Sequence, residues 1–324
     1  MDYVILDLEW NQCPQGKARE NPRLPFEIIE IGAIKLNESR EQISSFHEVI
    51  RPLVYHKLHF RTREVIPVSP EELAHARTFT PVVRDFLKWC GPDCKFVTWG
   101  SLDLNELQRN MDYYHIPNTL PNPLFYFDLQ KMFSLQYEDG KIRRSLEDAV
   151  DYLGIVKTIA FHRAFDDTYY TAEVMKRMDL AAVGSYESID YHRLPESRDN
   201  EIFLDFHTYT KYVSRPFPTR EEAMKDKRVT SLRCIYCHLP VLKRIRWFSV
   251  GGNVYLALLQ CPKHGFIKAK IRLKKTPDDR WFVVKTMKPA TAEMVAALQE
   301  KQTQVKEKRR KRRSRKKTET GRTE

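Results

Sequence analysis

Two carboxylates stand two residues apart in the opening stretch of the chain, at Asp7 and Glu9. The run Tyr3–Leu8 is apolar and rich in β-forming residues, so we expect a buried strand there. Because side chains two apart on a strand point to the same face, Asp7 and Glu9 project together. Such a pair repels itself, and Mg²⁺ or Mn²⁺, which prefer hard oxygen ligands, would relieve the repulsion. The same pattern is also common on plain protein surfaces.

Further titratable side chains lie in two later segments. Asp103 follows a short apolar strand and a Gly-Ser turn, where an Asp also serves as a helix N-cap. His162 and the pair Asp166 and Asp167 lie in FHRAFDDTYY, at the start of an expected long helix. The helix dipole alone would favour an acidic pair at that place. On a continuous helix His162 and Asp166 would share a face, since they are four residues apart.

Four soft ligands in the second half of the chain have the spacing of a zinc site. They form two knuckles, each with two ligands separated by two residues: Cys234, Cys237, Cys261 and His264. Two such knuckles make a tetrahedral Cys₃His set, and we expect one structural Zn²⁺. His238 is a competing ligand, and four unligated residues in a small β-domain are the alternative.

The elements that must position these residues mix strands with helices. We expect further strands over Glu27–Leu36, Phe46–Ile50 and Phe96–Trp99, and helices over Asp103–Tyr113, Ser145–Leu153 and His162–Met178. Strands and helices in this order predict an α/β layer structure. From about residue 230 to residue 287 the pattern becomes β-rich, and a final helix is expected from Ala292 to about Val305.

Composition excludes some classes of protein. Hydrophobic residues make up 42% of the chain, which excludes a fully disordered protein. No stretch approaches the roughly 20 apolar residues of a membrane-spanning helix, and the acidic start is unlike a signal peptide. We therefore expect a cytoplasmic protein with no membrane partner, whose six cysteines form no disulfide framework.

The net charge of +12 is unevenly distributed. Residues 1–182 carry a net charge of −5, and residues 183–324 carry +17. This asymmetry indicates a polyanionic partner, with nucleic acid the first candidate and a solubilising tail the plainer alternative. The run Lys306–Lys317 is low in complexity, and we expect it to be disordered when free and to bind phosphates without sequence preference.

The order of the acidic motifs resembles the DEDDh exonuclease superfamily, which contains polymerase proofreading domains, ribonuclease T and the eri-type exoribonucleases. The shared features are Asp-x-Glu on a first strand, the following strand EIIEIGAIKL, an Asp after a later strand, and His-x4-Asp at a helix start. The resemblance covers about residues 1–180. Within the superfamily the chain is most similar to the eri-type enzymes and their bacterial relatives, some of which act in sporulating bacteria.

The resemblance implies a ribonuclease H-like domain, with a mixed sheet flanked by helices, and 3′→5′ exonuclease activity. It implies that two Mg²⁺ or Mn²⁺ are held by four carboxylates, namely Asp7, Glu9, Asp103 and Asp167. Two metals about 4 Å apart activate the attacking water and stabilise the leaving oxygen. His162 would take the proton from that water. The family spacing selects Asp167 over Asp166.

Basic and aromatic residues surround the zinc set, as on single-stranded nucleic-acid surfaces. The candidate nucleic-acid-binding residues are Lys243, Arg244, Arg246, Trp247, Lys268, Lys270 and Arg272. Lys268, Lys270 and Arg272 alternate along an expected strand and would share one face. In the plainer alternative Trp247 belongs to the core and the basic residues only face solvent.

We therefore expect four parts: an exonuclease domain over residues 1–182, a connector over 183–229, a small β-rich zinc-ribbon-like domain over 230–290, and a helix with a basic tail over 291–324. The expected function is metal-dependent 3′→5′ removal of nucleotides from single-stranded nucleic acid or 3′ overhangs, with RNA favoured over DNA. One alternative is a catalytically idle protein that binds RNA or a ribosome through the zinc domain and tail. Another is a zinc module that binds a protein partner.

Overall fold

A computed structural model of the chain describes residues 1–138, 140 and 142–320, with side chains described as far as Lys311. The chain divides into two compact units, Met1–Arg193 and Leu194–Glu324. Each unit is built around a sheet of its own. None of the helices in the described ranges is long and apolar enough to cross a lipid bilayer.

The first unit contains a seven-stranded mixed sheet. Its strands are β1 (Asp2–Gln12), β2 (Phe26–Leu36), β3 (Gln42–Arg51), β4 (Arg77–Thr78), β5 (Cys94–Thr98), β6 (Phe125–Asp128) and β7 (Ser188–Ile189). Their order across the sheet is β4-β3-β2-β1-β5-β6-β7. The central strand β1 pairs antiparallel with β2 and parallel with β5. The α/β fold class that the sequence predicts is thereby confirmed.

Helices cover both faces of this sheet. They are α1 (Phe60–Val65), α2 (Pro70–His75), α3 (Phe79–Cys90), α4 (Asp103–Tyr113), α5 (Leu129–Tyr137), α6 (Leu146–Tyr152), α7 (Ala164–Arg177) and α8 (Leu180–Val183), with a short 3₁₀ turn at Lys17–Arg19. Strand β1 contributes side chains to the hydrophobic cores on both faces of the sheet, because successive side chains of a strand point to opposite faces. Leu6 and Leu8 pack into the core that contains residues of α3 and α4, and Ile5 packs into the core that contains residues of α7. Asp7 and Glu9 continue the Ile5 face, so they point toward the α7 side of the sheet.

Gly32 brings α7 close to the strands that carry these carboxylates. It lies on β2 directly opposite Asp7. A Cβ at this position would overlap the backbone of Ala164 and Phe165, in the first turn of α7. Only glycine therefore permits this approach between helix and sheet.

The second unit contains a six-stranded antiparallel sheet. Its strands are β8 (Ile202–Asp205), β9 (Thr210–Val213), β10 (Leu242–Gly251), β11 (Val254–Cys261), β12 (Gly265–Lys275) and β13 (Trp281–Pro289), in the order β10-β11-β12-β13-β9-β8. Its helices are α9 (Arg220–Lys225), α10 (Lys227–Thr230) and α11 (Ala292–Thr320). One face of the sheet packs on α9, α10 and the loop that carries Cys234. On the other face, α11 packs over β10 and β11 through Leu298.

The connector expected over residues 183–229 differs from the structure. Its first part supplies β7, which pairs with β6 in the first unit. Its later part supplies β8 and β9, and β9 pairs with β13 in the second unit. The small zinc-ribbon-like domain expected over 230–290 is therefore part of a larger sheet that begins before it, and the division falls after Arg193 instead of after residue 182.

The final helix is also longer than expected. It runs to Thr320 instead of ending near Val305, through the run that the sequence predicts to be disordered. Lysine, arginine and glutamate are good helix formers, and the helix contains neither glycine nor proline. The side chains of the basic tail beyond Lys311 lie outside the described residues.

The close approach at Gly32 gives a first prediction. Gly32→Ala should lower the free energy of unfolding of the first unit by about 1–3 kcal/mol, because the added methyl group must push α7 away from β2. Urea unfolding followed by tryptophan fluorescence would measure the change. An unchanged midpoint would contradict the tight packing described here.

Candidate active site

Three carboxylates from two elements meet at one edge of the first sheet. Carboxylate oxygens of Asp7, Glu9 and Asp167 lie within 4.8 Å of one another. Asp7 and Glu9 share a face of β1, and the pairing register with β2 shifts directly after Glu9. Asp167 comes from the first turn of α7. Asp166 is not part of this group, so the geometry selects Asp167 of the two candidates.

The backbone before α7 explains that selection. His162 has a φ of 74°, in the left-handed region, and Arg163 is the N-cap of the helix. The helix therefore begins at Ala164, and His162 is not on its face. The backbone N–H of His162 instead points to the carboxylate of Asp167, with N–O distances of 3.3 and 3.4 Å. The side chain of His162 is exposed at the rim of the site.

Asp103 approaches the same strand from α4. It is the first residue of that helix and is buried, and the nearby backbone N–H of Leu8 favours the ionised form of its carboxylate and so acts to lower its pKa. It lies outside the group of three whose oxygens are all within 4.8 Å, but it is the strongest charged neighbour of Asp7. The structure thus brings all four predicted carboxylates together, with Asp103 next to the group formed by the other three.

Burial and mutual repulsion oppose ionisation of these groups. Burial, followed by repulsion from Asp103 and Glu9, raises the pKa of Asp7 well above its ordinary value. Burial and the charge of Asp167 raise the pKa of Glu9 to about 8. Burial likewise raises the pKa of Asp103 to about 7 and that of Asp167 to about 6. A divalent cation with hard oxygen ligands would stabilise the ionised forms, so the residues present fit Mg²⁺ or Mn²⁺.

An ion-pair network fixes the turn that carries His162. Arg163 places its Nε 3.0 Å from both carboxylate oxygens of Glu30, whose side chain is fully buried on β2. The same guanidinium donates to Glu72 at 3.1 Å and to the carbonyl of Pro67 at 3.3 Å. His47 lies 2.6 Å from Glu30 on the other side. Glu30 is the register partner of Glu9, so this network ties the catalytic edge of the sheet to the start of α7.

A second set of buried polar groups holds the segment before α1 against β1. The side chain of Asn11, which continues the face of Asp7 and Glu9, donates to the carbonyls of Tyr55 and Lys57 at 2.9 and 3.0 Å. Its oxygen accepts from the backbone N–H of His59 at 2.9 Å. Glu27 accepts 2.7 Å hydrogen bonds from the backbone N–H groups of Leu53 and Tyr55. These contacts fix residues 53–59 beside the carboxylates.

Sequence analysis did not identify Arg163, Glu30, Asn11 or Glu27 as site residues. A signal for two of them was present, because Glu27 and Glu30 interrupt the otherwise apolar run EIIEIGAIKL. Charged residues in a buried strand need partners. The partners themselves, Arg163 and residues 53–55, lie too far along the chain for spacing to reveal them.

Comparison with known proteins identifies the family of this chain. A family model described as an exonuclease, of the ribonuclease T type, matches residues 4–175. The chain belongs to this exonuclease family. The resemblance to the DEDDh enzymes is thereby confirmed, and the protein is a nuclease, a hydrolase of phosphodiester bonds.

Two curated relatives match the same part of this exonuclease. The probable 3′-5′ exonuclease KapD of Bacillus subtilis is 25% identical over 181 residues, which cover 54% of this chain and 83% of KapD. The PolC-type DNA polymerase III of Clostridium perfringens is 27% identical over 175 residues, which cover 54% of this chain and 11% of the polymerase. Among solved structures, the nuclease domain of 3′hExo, a DEDDh family member bound to rAMP, shares 19% identity. It covers 59% of this chain and 96% of that domain, with a TM-score of 0.49.

The second unit brings the four predicted zinc ligands together. The ligand atoms of Cys234, Cys237, Cys261 and His264 all lie within 4.8 Å of one another. The sulfurs of Cys237 and Cys261 are 3.8 Å apart, and His264 Nδ1 is 3.4 Å from the sulfur of Cys234. A tetrahedron with Zn–S bonds of 2.3 Å has edges of about 3.8 Å. His238 lies outside this group, 4.0 Å from Asp205.

The candidate nucleic-acid-binding residues divide between the two faces and the edge of the second sheet. Lys268, Lys270 and Arg272 share one face of β12, as expected from their spacing. Trp247 is partly buried against the core on the opposite face and donates to the carbonyl of Thr230. The remaining three, Lys243, Arg244 and Arg246, are exposed on the edge strand β10, where Arg244 donates to Gln260.

The raised pKa values predict how stability depends on pH in the metal-free protein. The folded-state pKa values of Glu9, about 8, and Asp103, about 7, exceed those of an unfolded chain. The folded state therefore keeps these protons to a higher pH than the unfolded chain does. The stability that these groups contribute is lost as the pH rises toward 8. In a chelator we expect the melting temperature to fall between pH 5 and pH 8. Saturating Mg²⁺ or Mn²⁺ should reduce that fall, because the cation binds only the folded state.

A matched pair of variants tests the cause. Asp7→Asn removes one charge from the cluster, so it should raise the melting temperature at pH 8 without metal and weaken the metal-induced stabilisation. Glu64→Gln removes an exposed charge from the same unit and should do neither. A melting temperature independent of both pH and metal would contradict this electrostatic account.

Proposed function

We propose that this exonuclease removes nucleotides from the 3′ end of single-stranded nucleic acid or 3′ overhangs, and that it favours RNA over DNA. The observation that carries the proposal is the complete carboxylate cluster of Asp7, Glu9 and Asp167, with Asp103 beside it. The 3′→5′ direction is supported by KapD, which this chain matches over most of KapD's length. The preference for RNA is supported only by the similarity of the motifs to the eri-type enzymes.

In this proposal the four carboxylates hold two Mg²⁺ or Mn²⁺, which would supply an activated water and stabilise charge on the leaving oxygen. His162 would take the proton from the attacking water, since this residue is exposed and its backbone N–H contacts the carboxylate of Asp167. Arg163 keeps the His162 turn in place through Glu30, and Asn11 keeps residues 55–59 beside the site. None of the six cysteines, all within the described residues, forms a disulfide, which agrees with the proposed cytoplasmic location, where thiols stay reduced.

A time course on two 5′-labelled 20-mers of equal sequence, one RNA and one DNA, tests the function. With Mg²⁺ or Mn²⁺ we expect a ladder of products that shorten from the 3′ end, faster on RNA. The ladder should be absent in EDTA and with Asp7→Ala protein. Failure to cleave with either metal, together with retained binding, would favour instead a catalytically idle protein that binds RNA.

His162→Ala should slow cleavage by about 10²–10⁴-fold if the histidine is the general base. His115→Ala is the matched control, because His115 is also exposed and also has a positive φ, of 56°.

Asp167→Ala should abolish cleavage, whereas Asp166→Ala should retain most of it. The opposite ranking of the two aspartates would contradict the proposed ligand set.

We also propose that the Cys₃His cluster of the second unit binds one structural Zn²⁺. Metal analysis of the purified protein should find one zinc per chain. Cys237→Ser should lose the zinc and lower the melting temperature of the second unit, because a thiolate ligand is removed. Cys94→Ser, in the first unit, is the control and should retain the zinc. Full zinc content in Cys237→Ser would overturn the assignment.

A further inference from the structure

One face of the second sheet carries six cations on three neighbouring strands. The pairing register places Lys268 of β12 opposite Lys288 of β13, and Lys270 opposite Thr286. Thr286 in turn lies opposite Lys211 of β9, so Lys211 is on the same face. We call the group the basic face, and its members are Lys211, Lys268, Lys270, Arg272, Lys274 and Lys288.

The charge of this sheet is almost entirely of one sign. Asp205, at the end of the edge strand β8, is the single acidic residue in the six strands. On the basic face, burial and repulsion from Arg272, Lys268 and Lys288 lower the pKa of Lys270. Like charges directly across a sheet, such as Lys268 and Lys288, are destabilising. An anionic ligand that spans several of these side chains would remove this repulsion.

The long helix α11 lies beside the basic face. It packs over Leu256 and Leu258, which are the register partners of Lys270 and Lys268 on β11. Further along the helix, Arg309 donates to the carbonyl of Ser249 on β10. The helix is rich in lysine and arginine from Lys306 onward. The described basic residues of this part of α11, from Lys306 to Lys311, thus add positive charge to the second unit on the side of β10.

The arrangement of cations favours an extended polyphosphate as the ligand. Alternate residues of a strand are about 7 Å apart and neighbouring strands about 5 Å apart, so the cations form a flat array that can contact successive phosphates. Membrane binding would in addition require apolar side chains that enter the bilayer. Of the large apolar residues exposed in the described part of this unit, Phe203 lies on the opposite face, and the others precede or begin β10: Tyr236, Leu239 and Leu242.

We propose that the basic face binds the phosphate backbone of a single-stranded nucleic acid and thereby holds the substrate that the exonuclease site shortens. The proposal deepens the proposed function and rests on it for the identity of the substrate. The binding itself involves phosphates only, so it should be independent of base sequence and strongly dependent on salt.

Fluorescence anisotropy with a labelled single-stranded RNA 20-mer tests the proposal on the full chain, in an Asp7→Ala background that prevents cleavage. The test variant is the triple substitution Lys268→Ala, Lys270→Ala and Arg272→Ala. Each contact with a single strand contributes about −0.7 to the slope of log K against log salt. The triple variant should therefore bind about 10–100-fold more weakly at 0.1 M salt, and its slope should be smaller by about 2.

The matched control removes the same charge from helices α9 and α10 on the opposite face of the sheet, through Arg220→Ala, Lys225→Ala and Lys227→Ala. It should weaken binding by about threefold or less, through long-range attraction alone. Equal losses in both triple variants would show that only net charge matters, and would overturn the basic face as a site. Unchanged affinity in the test variant would also overturn it.

Three further arms separate the remaining outcomes. Lys268→Arg with Lys270→Arg keeps the charge and should keep the affinity, so a loss in this variant would contradict phosphate binding. If the test variant lost binding to phosphatidylserine vesicles but kept RNA binding, the face would belong to a lipid partner instead.

With Asp7 restored, the test variant should cleave a trinucleotide at the unsubstituted rate, because a short substrate does not need the basic face. Absence of cleavage in the unsubstituted protein would contradict the proposed function, while the anisotropy result would still decide the binding.

Discussion

The repulsion among four closely placed carboxylates, one buried and three half-buried, is the constraint on which the first unit depends. Asp7, Glu9, Asp103 and Asp167 oppose one another's ionisation in a poorly solvated place, so the fold must force them together. Strand β1 does so because its alternate side chains are anchored in two cores, at Leu6 and Leu8 on one face and Ile5 on the other. Gly32 then admits α7 close enough to add Asp167. The favourable packing of the two cores thus offsets the repulsion within a cation-binding arrangement.

The Glu30–Arg163 pair resolves a further conflict at the same edge. Glu30 faces the cluster as the register partner of Glu9, and an unpaired carboxylate there would add to the repulsion. Arg163 neutralises it and also lowers the pKa of Glu9. Because Arg163 directly follows His162, the same ion pair restrains a turn whose left-handed backbone is costly for a histidine. One side chain therefore balances charge, begins α7 and positions the proposed general base.

Strand alternation, knuckle spacing and the family resemblance together predicted two clusters that the structure brings together, the four carboxylates and the Cys₃His group. Alternation and knuckle spacing are short-range properties, so the sequence shows them directly. They were not enough wherever distant pairing decides the structure. Strand β9 has four residues and is stabilised by β13, about 70 positions further along the chain, so the sequence pattern predicted a connector over residues 183–229. The ambiguity between Asp166 and Asp167 arose from assuming one helix from His162. The helix starts at Ala164, so the 3.6-residue period does not relate His162 to Asp166.

The charge asymmetry of the chain follows from the chemistry of its two units. A site built from carboxylates repels a polyphosphate until cations are bound, and residues 1–182 carry a net charge of −5. Residues 183–324 carry +17, and the six strands within them contain one acidic residue. If the basic face holds the substrate as proposed, the attraction that the catalytic unit lacks is supplied by a surface joined to it in the same chain, which raises the local concentration of substrate. Separate units allow the two opposite fields to coexist, since cations placed beside Asp7 and Glu9 would compete with the metal for the same carboxylates.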